Sequence, residues 1–180
     1  MISRVLYDKG YQQYVDAAKL IKKDYIDVQF LLLGAIDDEY PHYVPKHIVD
    51  EDVKNGHITY LGYVTNVYDI IKSVDCIVLP SYYNEGLSRV LMEGLAMSKP
   101  IITTNIPGCQ ETVEDGVNGL LCKPKDSISL AEACRKFLRM SEKERFNMGI
   151  AGRKKAERQF DVKNVIQVYN SLTEEFINKF

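Results

Sequence analysis

Uninterrupted apolar stretches constrain the fold of this 180-residue chain more than any other feature. Residues 30–33 read FLLL and residues 77–79 read IVL, with no alternation of apolar and polar side chains. A strand with one solvated face alternates, whereas a strand covered by helices on both faces is apolar throughout. Segments with helical periodicity separate these stretches. The pattern therefore predicts an α/β fold with a doubly wound, Rossmann-like parallel sheet.

The predicted elements divide the chain into two parts. Strands are predicted at 2–6, 28–33, 58–61, 76–79, 100–104 and 119–122. After residue 125 only helical periodicity continues, at 127–140, 142–159 and 162–180, with a capping-box spacing between Ser141 and Glu144. We therefore expect one domain over 1–180, with strand-helix units over 1–125 and a helical tail over 126–180. Part of the apolar face of the last helix is expected to be exposed.

Charge and composition exclude several classes of protein. The 23 basic and 25 acidic residues leave a net charge of −2, so bulk charge gives no support for a nucleic-acid partner. Hydrophobic residues at 46% and charged residues at 27% are ordinary globular usage and exclude a disordered chain. No window approaches the ~18 apolar residues of a membrane span, and the N-terminus does not resemble a signal peptide. We expect a cytoplasmic protein.

Residues that bind metals in other proteins are scattered here. The three histidines have no cysteine or carboxylate at ligand spacing, which disfavours a zinc site. The acidic run over 50–52 has a D-x-D spelling, but a solvated charge run explains it better. The cysteines form no CxxC pair and are interpreted as free thiols in a reducing compartment; they are Cys76, Cys109, Cys122 and Cys134. We predict no metal site.

The segment PSYYNEGLSRVLMEGLA, which begins at Pro80, combines a polar loop with the start of a helix. At 100° per residue, Glu93 lies about 130° from the centre of the apolar stripe of that helix, and Glu85 about 150°. The two glutamates are ~12 Å apart along the axis, so they could address the two ends of an elongated ligand. Ordinary solvated glutamates on an exposed helix would show the same spacing. Unpaired amides suited to a diphosphate are predicted at Gly86, Leu87 and Ser88.

This segment resembles the signature of the donor-binding domain of retaining glycosyltransferase family 4, also described as glycosyl transferases group 1. The glutamates form an E-x7-E arrangement within EGLSRVLMEGLAMSKPIITTNIPGCQETVEDGVNGLL, and SRVLYDKG, LLLG and YLGYV are similar to other parts of the family pattern. The resemblance covers nearly the whole chain. It implies one half of a GT-B glycosyltransferase, with the acceptor domain absent from this chain.

The resemblance also implies roles for individual residues. Glu93 would accept hydrogen bonds from the ribose hydroxyls, and Glu85 would hold hydroxyls of the transferred sugar. Arg4 and Lys9 would neutralise the diphosphate as it leaves, although solvated loop cations are the simpler reading of both. Tyr63 follows a strand and could border the base through backbone contacts, or belong to a loop that only links two elements.

As a family member, the chain would take a UDP-sugar or GDP-sugar as donor and use no cofactor or metal. The full-length enzyme would be a retaining hexosyltransferase that acts on a glycan or lipid-linked saccharide in polysaccharide biosynthesis, peripheral at the membrane. We expect the 180 residues alone to bind donor without transferring sugar. No serine, cysteine or aspartate stands beside a histidine base, so leaving-group stabilisation is expected to replace a protein nucleophile.

Two other classes remain open from the sequence. A phosphate-regulated receiver-type domain would also be a doubly wound parallel sheet, but it needs acidic residues at the end of the first strand, where this chain has Arg4 and Lys9. A non-catalytic nucleotide-sugar-binding or regulatory domain would retain every motif described and lack only turnover.

Overall fold

A computed structural model describes residues 1–83 and 86–177 of the chain. Helices and strands follow one another as far as the last strand, and three helices come after it. The strands are β1 (Leu31–Leu32), β2 (Thr59–Tyr60), β3 (Ile77–Leu79), β4 (Ile101–Thr104) and β5 (Gly119–Cys122). The helices are α1 (Tyr11–Ile21), α2 (Lys46–Lys54), α3 (Val67–Ser73), α4 (Arg89–Ala96), α5 (Ser127–Arg139), α6 (Glu142–Gln159) and α7 (Val162–Ile177). Single 3-10 turns occur at Tyr7–Lys9 and Gln110–Thr112.

All strand pairs are parallel, as the apolar runs predict. β1 pairs with β2, and β3, β4 and β5 form a second sheet in that order. Every residue of β4 is buried, which agrees with a strand covered on both faces. The predicted fold class, a Rossmann-like α/β fold with a helical C-terminal region, is confirmed.

The predicted strand at 2–6 is wrong as a regular strand. Ile2 forms an isolated parallel bridge with Leu33, and Leu6 an antiparallel bridge with Tyr43. The backbone turns between these bridges, because the Leu6 amide donates to the carbonyl of Arg4 at 2.9 Å. The strands predicted at 28–33 and 58–61 are each reduced to the two residues of β1 and β2, whereas the prediction at 119–122 matches β5.

The helical tail is present, but its parts differ in burial. α5 packs against α1 and places Leu130, Cys134 and Phe137 in the core. α6 begins with the predicted capping box, in which Glu144 accepts from the Ser141 amide at 2.7 Å. α7 buries none of its residues. Its apolar side chains are exposed, which confirms the expectation for this face.

All four cysteines are free thiols, as predicted. Cys109, Cys122 and Cys134 are buried in the core. Burial raises the pKa of the Cys122 and Cys134 thiols to about 12, so both are held as neutral, unreactive thiols in the folded chain.

One close approach of two backbones joins the N-terminal segment to the end of β3. Gly10 ends the first 3-10 turn in a left-handed conformation, with φ of 84°. A Cβ atom at this position would lie 2.1 Å from the carbonyl oxygen of Pro80. Glycine is therefore required at this position both for its backbone conformation and for the space beside Pro80.

We predict that Gly10→Ala lowers the free energy of unfolding more than Gly116→Ala does. Gly116 also has a positive φ, 78°, but a Cβ there would meet nothing within 4 Å. The control substitution should cost about 1 kcal/mol for the backbone conformation alone, and the collision with Pro80 should add about 1 to 3 kcal/mol at Gly10. Urea unfolding of both variants measures the difference. Equal losses would show that the contact with Pro80 is not constraining.

Candidate donor-binding site

The carboxyl ends of parallel strands lie at one edge of a sheet, and the loops that follow them form the crevice where ligands bind in such folds. Here those loops begin after Leu32, Tyr60, Leu79, Thr104 and Cys122. Each described residue that was predicted from the sequence to bind ligand belongs to one of these loops, to the segment before α1 or to α4.

The backbone carbonyl of Asp8 holds the segment before α1 against the loop after β3. It accepts hydrogen bonds from the amides of Tyr82 at 2.9 Å and Tyr83 at 3.2 Å. The hydroxyl of Ser81, which is fully buried, donates to the same oxygen at 3.3 Å. The segment before α1 is thereby fixed against the loop after β3.

Two lysines lie over the tyrosine rings of this loop. Lys9 Nζ is 5.0 Å from the ring centroid of Tyr83, and Lys125 Nζ is 4.7 Å from that of Tyr82. Both distances are within the range of a cation–π interaction. Lys125 follows β5 and was not among the predicted site residues, although a cation after a buried strand is the signal that could have identified it.

Arg4 has partners on a different loop. Its Nη1 is 3.6 Å from Oδ2 of Asp37, and its guanidinium carbon lies 4.0 Å from the ring centroid of Tyr40. The structure therefore places Arg4 with the loop after β1 and Lys9 with the loop after β3. The side chain of Arg4 remains 46% exposed, so the pair with Asp37 is a weak surface pair that an anionic ligand could replace.

The start of α4 corrects one prediction. The Ser88 amide was predicted to be unpaired, but it donates to the carbonyl of Gly108 at 3.1 Å. Ser88 itself is buried, because this bond draws the helix start against the loop after β4. The Gly108 amide donates to Oε2 of Glu111 at 2.7 Å, so Glu111 stabilises its own turn. Gly86 and Leu87 are exposed, and their predicted role with a diphosphate stays a prediction.

Glu93 lies outside the core, as its position on the helix predicts. The core side of α4 carries Leu91, Gly94 and Leu95, whereas the Glu93 side chain is 49% exposed and 3.8 Å from Nη2 of Arg89. It borders a groove of about 340 Å³ between α4 and α6 whose far wall includes Arg153 and Glu157. Its carboxylate is therefore accessible to a ligand.

Tyr63, which was also predicted to bind ligand, lies in the loop after β2. Tyr63 is 74% exposed and follows Gly62, a residue with φ of 70° at the end of β2. Its role beside a base stays a prediction. Glu85 lies outside the described residues, as does Asn84.

The acidic residues over 50–52 were expected to be solvated. This expectation is wrong for Asp52, which is largely buried. Its side chain is 13% exposed and accepts a hydrogen bond from Tyr11 Oη at 2.7 Å. His57 Nδ1 lies 3.0 Å from the other carboxylate oxygen. Burial and the Asp52 carboxylate raise the pKa of Tyr11. The cluster joins the start of α1 to the end of α2 and to the residues that lead into β2.

Neither a metal centre nor a membrane span is found in the part of the chain that the structure describes. No group of three or more His, Cys, Asp or Glu side chains there could hold a metal ion. Within the same ranges, no helix is long and apolar enough to cross a bilayer.

Comparison with known proteins identifies the family of the chain. The family model for glycosyl transferases group 1 matches residues 1–155. The chain belongs to this family. The E-x7-E segment and the opening SRVLYDKG both fall inside the matched range, so the resemblance to group 1 is confirmed. Assignment to family 4 within it stays a prediction.

Relatives and solved structures agree with membership of group 1. The N,N'-diacetylbacillosaminyl-diphospho-undecaprenol alpha-1,3-N-acetylgalactosaminyltransferase of Campylobacter jejuni is 29% identical over 98% of this chain and 44% of its own length. The crystal structure of Anabaena Alr3699/HepE in complex with UDP superposes with a TM-score of 0.83 at 22% identity, over 96% of this chain and 47% of that one. The chain spans about half the length of the curated relatives it matches.

A third match concerns a single domain. The C-terminal domain of a glycosyl transferase group 1 family protein, LpcC of Francisella tularensis, superposes with a TM-score of 0.73 at 23% identity. The match covers 87% of this chain and 82% of that domain. The group 1 chain described here therefore has the fold of the C-terminal half of a GT-B enzyme.

Proposed function

We propose that this chain is the donor-binding domain of a retaining glycosyltransferase and binds a nucleoside diphosphate sugar at the carboxyl edge of its sheets. The observation that carries the proposal is the junction at the Asp8 carbonyl, which sets Lys9 beside the loop that leads into α4. In this proposal, that cation and the exposed carboxylate of Glu93 on α4 contact different parts of one bound ligand. HepE has a similar fold, and its crystal structure contains UDP, which supports a nucleotide ligand for this chain.

Each predicted residue has a chemical task in this proposal. Lys9 and Arg4 neutralise the diphosphate, and the amides of Gly86 and Leu87 donate to its oxygens. Glu93 accepts from both ribose hydroxyls, a bidentate task suited to a carboxylate. Tyr63 borders the base, and Glu85 orients the transferred sugar.

In transfer, the nucleoside diphosphate is the leaving group. As the bond from the anomeric carbon to the phosphate oxygen breaks, negative charge develops on that oxygen, and fixed cations and amides at the crevice stabilise it. The proposed reaction retains the anomeric configuration and uses neither a metal nor a protein nucleophile. The catalytic residues are Arg4, Lys9 and Glu85.

The acceptor is proposed to be a glycan or lipid-linked saccharide, bound by a second domain across the crevice. The name of the Campylobacter relative includes a diphospho-undecaprenol group, which is a lipid carrier. This name supports a lipid-linked acceptor. The setting proposed is polysaccharide biosynthesis in the cytoplasm, with the full-length enzyme peripheral at the membrane.

Calorimetric titration of the chain tests the donor proposal. UDP, GDP, UDP-glucose, UDP-N-acetylglucosamine and GDP-mannose are titrated separately, with uridine and guanosine as nucleoside controls. We expect one nucleoside diphosphate and one of its sugars to bind, with the nucleoside alone much weaker. Binding of none of these ligands would contradict the proposal.

We predict that Glu93→Ala weakens binding of the nucleoside diphosphate by about 10- to 100-fold, because hydrogen bonds to a charged group contribute about 1.5 to 3 kcal/mol. Glu157→Ala is the matched control, since Glu157 borders the same groove and also pairs with an arginine four residues away. Both variants should keep the parent's unfolding midpoint within error because both side chains are exposed. Parent-like affinity in Glu93→Ala, or an equal loss in the control, would contradict the ribose assignment.

Replacing Arg4 and Lys9 together by glutamine should weaken nucleoside diphosphate binding much more than nucleoside binding. The effect should shrink as salt rises from 50 to 500 mM, because exposed charge contacts are screened over a Debye length of about 10 Å at 0.1 M. The control replaces Lys22 and Lys23, which follow the last residue of α1, by glutamine. It therefore has the same net charge as the Arg4 and Lys9 variant. An equal loss of nucleoside affinity would indicate damage to the fold instead of loss of phosphate contacts.

The chain alone is expected to bind donor without transferring sugar, because the proposed reaction site lies between two domains. Release of nucleoside diphosphate is measured with donor, with and without a panel of glycan and lipid-linked acceptors. Donor hydrolysis without acceptor is the baseline. Turnover that depends on an acceptor would show that the 180 residues form a complete enzyme.

A further inference from the structure

A single turn in the loop after β1 supplies both partners of Arg4. The Asp37 carbonyl accepts from the Tyr40 amide at 3.2 Å, so these two residues begin and end the turn. The Asp37 carboxylate and the Tyr40 ring both lie against the guanidinium group. An arginine can hold a carboxylate and a ring face at the same time, because its charge is delocalised over a planar group.

The backbone on either side of Arg4 is bonded to the same loop and to the end of the strand before it. The Ser3 amide donates to the carbonyl of Leu33 at 3.0 Å, and the Val5 amide donates to the carbonyl of Ala35 at 2.9 Å. These bonds hold the start of the arginine side chain close to the turn that carries its partners. An exchange of partners therefore requires only the outer part of the side chain to move.

Asp37 and a bound phosphate would be two anions beside one cation. The side chains of Arg4 and Asp37 are 46% and 37% exposed, so a ligand can reach both. In the proposed function, Arg4 neutralises the diphosphate of the donor. Because like charges in one site repel, the Asp37 carboxylate and the ligand phosphate each weaken the binding of the other to Arg4.

The donor and the product of the proposed reaction differ in charge. In a nucleoside diphosphate sugar, the terminal phosphate oxygen is bonded to the anomeric carbon and cannot ionise. Cleavage of that bond frees the oxygen, and a terminal phosphate of this kind loses its second proton with a pKa of about 6. Near neutral pH, the product therefore carries about one more negative charge than the donor. A carboxylate beside Arg4 repels the product more strongly.

We propose that Asp37 is a positioning residue that holds Arg4 when no ligand is bound and lowers the affinity of the site for the nucleoside diphosphate product more than for the donor. The phosphate and the carboxylate exchange on one guanidinium group, which the Tyr40 ring keeps beside the loop. The inference rests on the proposed function, because the exchange needs a diphosphate at Arg4. Its consequence is that the product leaves more readily than from an arginine without a competing anion.

Calorimetric titration of a double-mutant cycle tests this inference. The four chains are the parent, Asp37→Asn, Arg4→Gln and the variant with both substitutions. Asp38→Asn is the matched control, because Asp38 lies in the same turn, is exposed and changes the net charge equally. Each chain is titrated near pH 7.5 with UDP, UDP-glucose, GDP, GDP-mannose and inorganic pyrophosphate. Urea unfolding checks that every variant is folded.

We expect Asp37→Asn to strengthen binding of the nucleotide sugar about two- to fivefold, the range for loss of an exposed ion pair. Binding of the nucleoside diphosphate and of pyrophosphate should strengthen by at least a further twofold, because both carry the additional charge. In the Arg4→Gln background the gain should shrink, since only repulsion at a distance remains. Asp38→Asn should give less than half of the gain.

Four results would overturn the inference: no gain in Asp37→Asn, an equal gain in Asp38→Asn, an equal gain for donor and product, or a gain of the same size without Arg4. The pyrophosphate titration separates these failures from failure of the proposed function. Pyrophosphate binding with the expected gain, but no binding of any nucleotide, would contradict the donor proposal and support the exchange at Arg4. Absence of binding by every ligand would overturn both.

Discussion

The geometry of the candidate site depends on a single carbonyl oxygen. Asp8 O accepts three donors from the loop after β3, and the neighbouring Gly10 leaves room for Pro80 to approach. This junction fixes the segment that carries Lys9 against the loop that leads into α4. Because β1 and β2 have two residues each, the ladder hydrogen bonds alone fix little of the geometry. The contact at the Asp8 carbonyl therefore positions the Lys9 side chain beside the loop after β3.

The sequence predicted those parts of the fold in which local signals agree with burial. β5 and the capping box of α6 are found where they were predicted, because continuous apolar runs and cap spacing act over a few residues. The segment over 2–6 has the composition of a strand, but it forms only isolated bridges, to Leu33 and to Tyr43, because the backbone turns between Arg4 and Leu6. Both bridge partners are distant in sequence, so local composition could not predict this pairing.

In the candidate site too, local features could be predicted from the sequence, whereas contacts between distant residues could not. Glu93 was placed outside the core from helical spacing alone, and the exposed carboxylate agrees with that placement. The pairing of the Ser88 amide with Gly108 could not be predicted, because it joins loops after two different strands. The Asp8 carbonyl gives no sequence signal either, since every residue has one. Lys125 lies over Tyr82 because the folded sheet brings the loops after β3 and β5 together, which spacing along the chain does not reveal.

The buried cysteines have a practical consequence for studying this domain. Cys109 lies in the loop after β4, Cys122 at the end of β5 and Cys134 on the α5 face that packs into the core. A thiol reagent can modify a buried thiol only after the surrounding structure opens. The rate at which each site is labelled therefore reports the free energy of opening at that place, without any engineered cysteine. The three natural cysteines thus allow the local stability of the loop after β4, of β5 and of α5 to be measured separately.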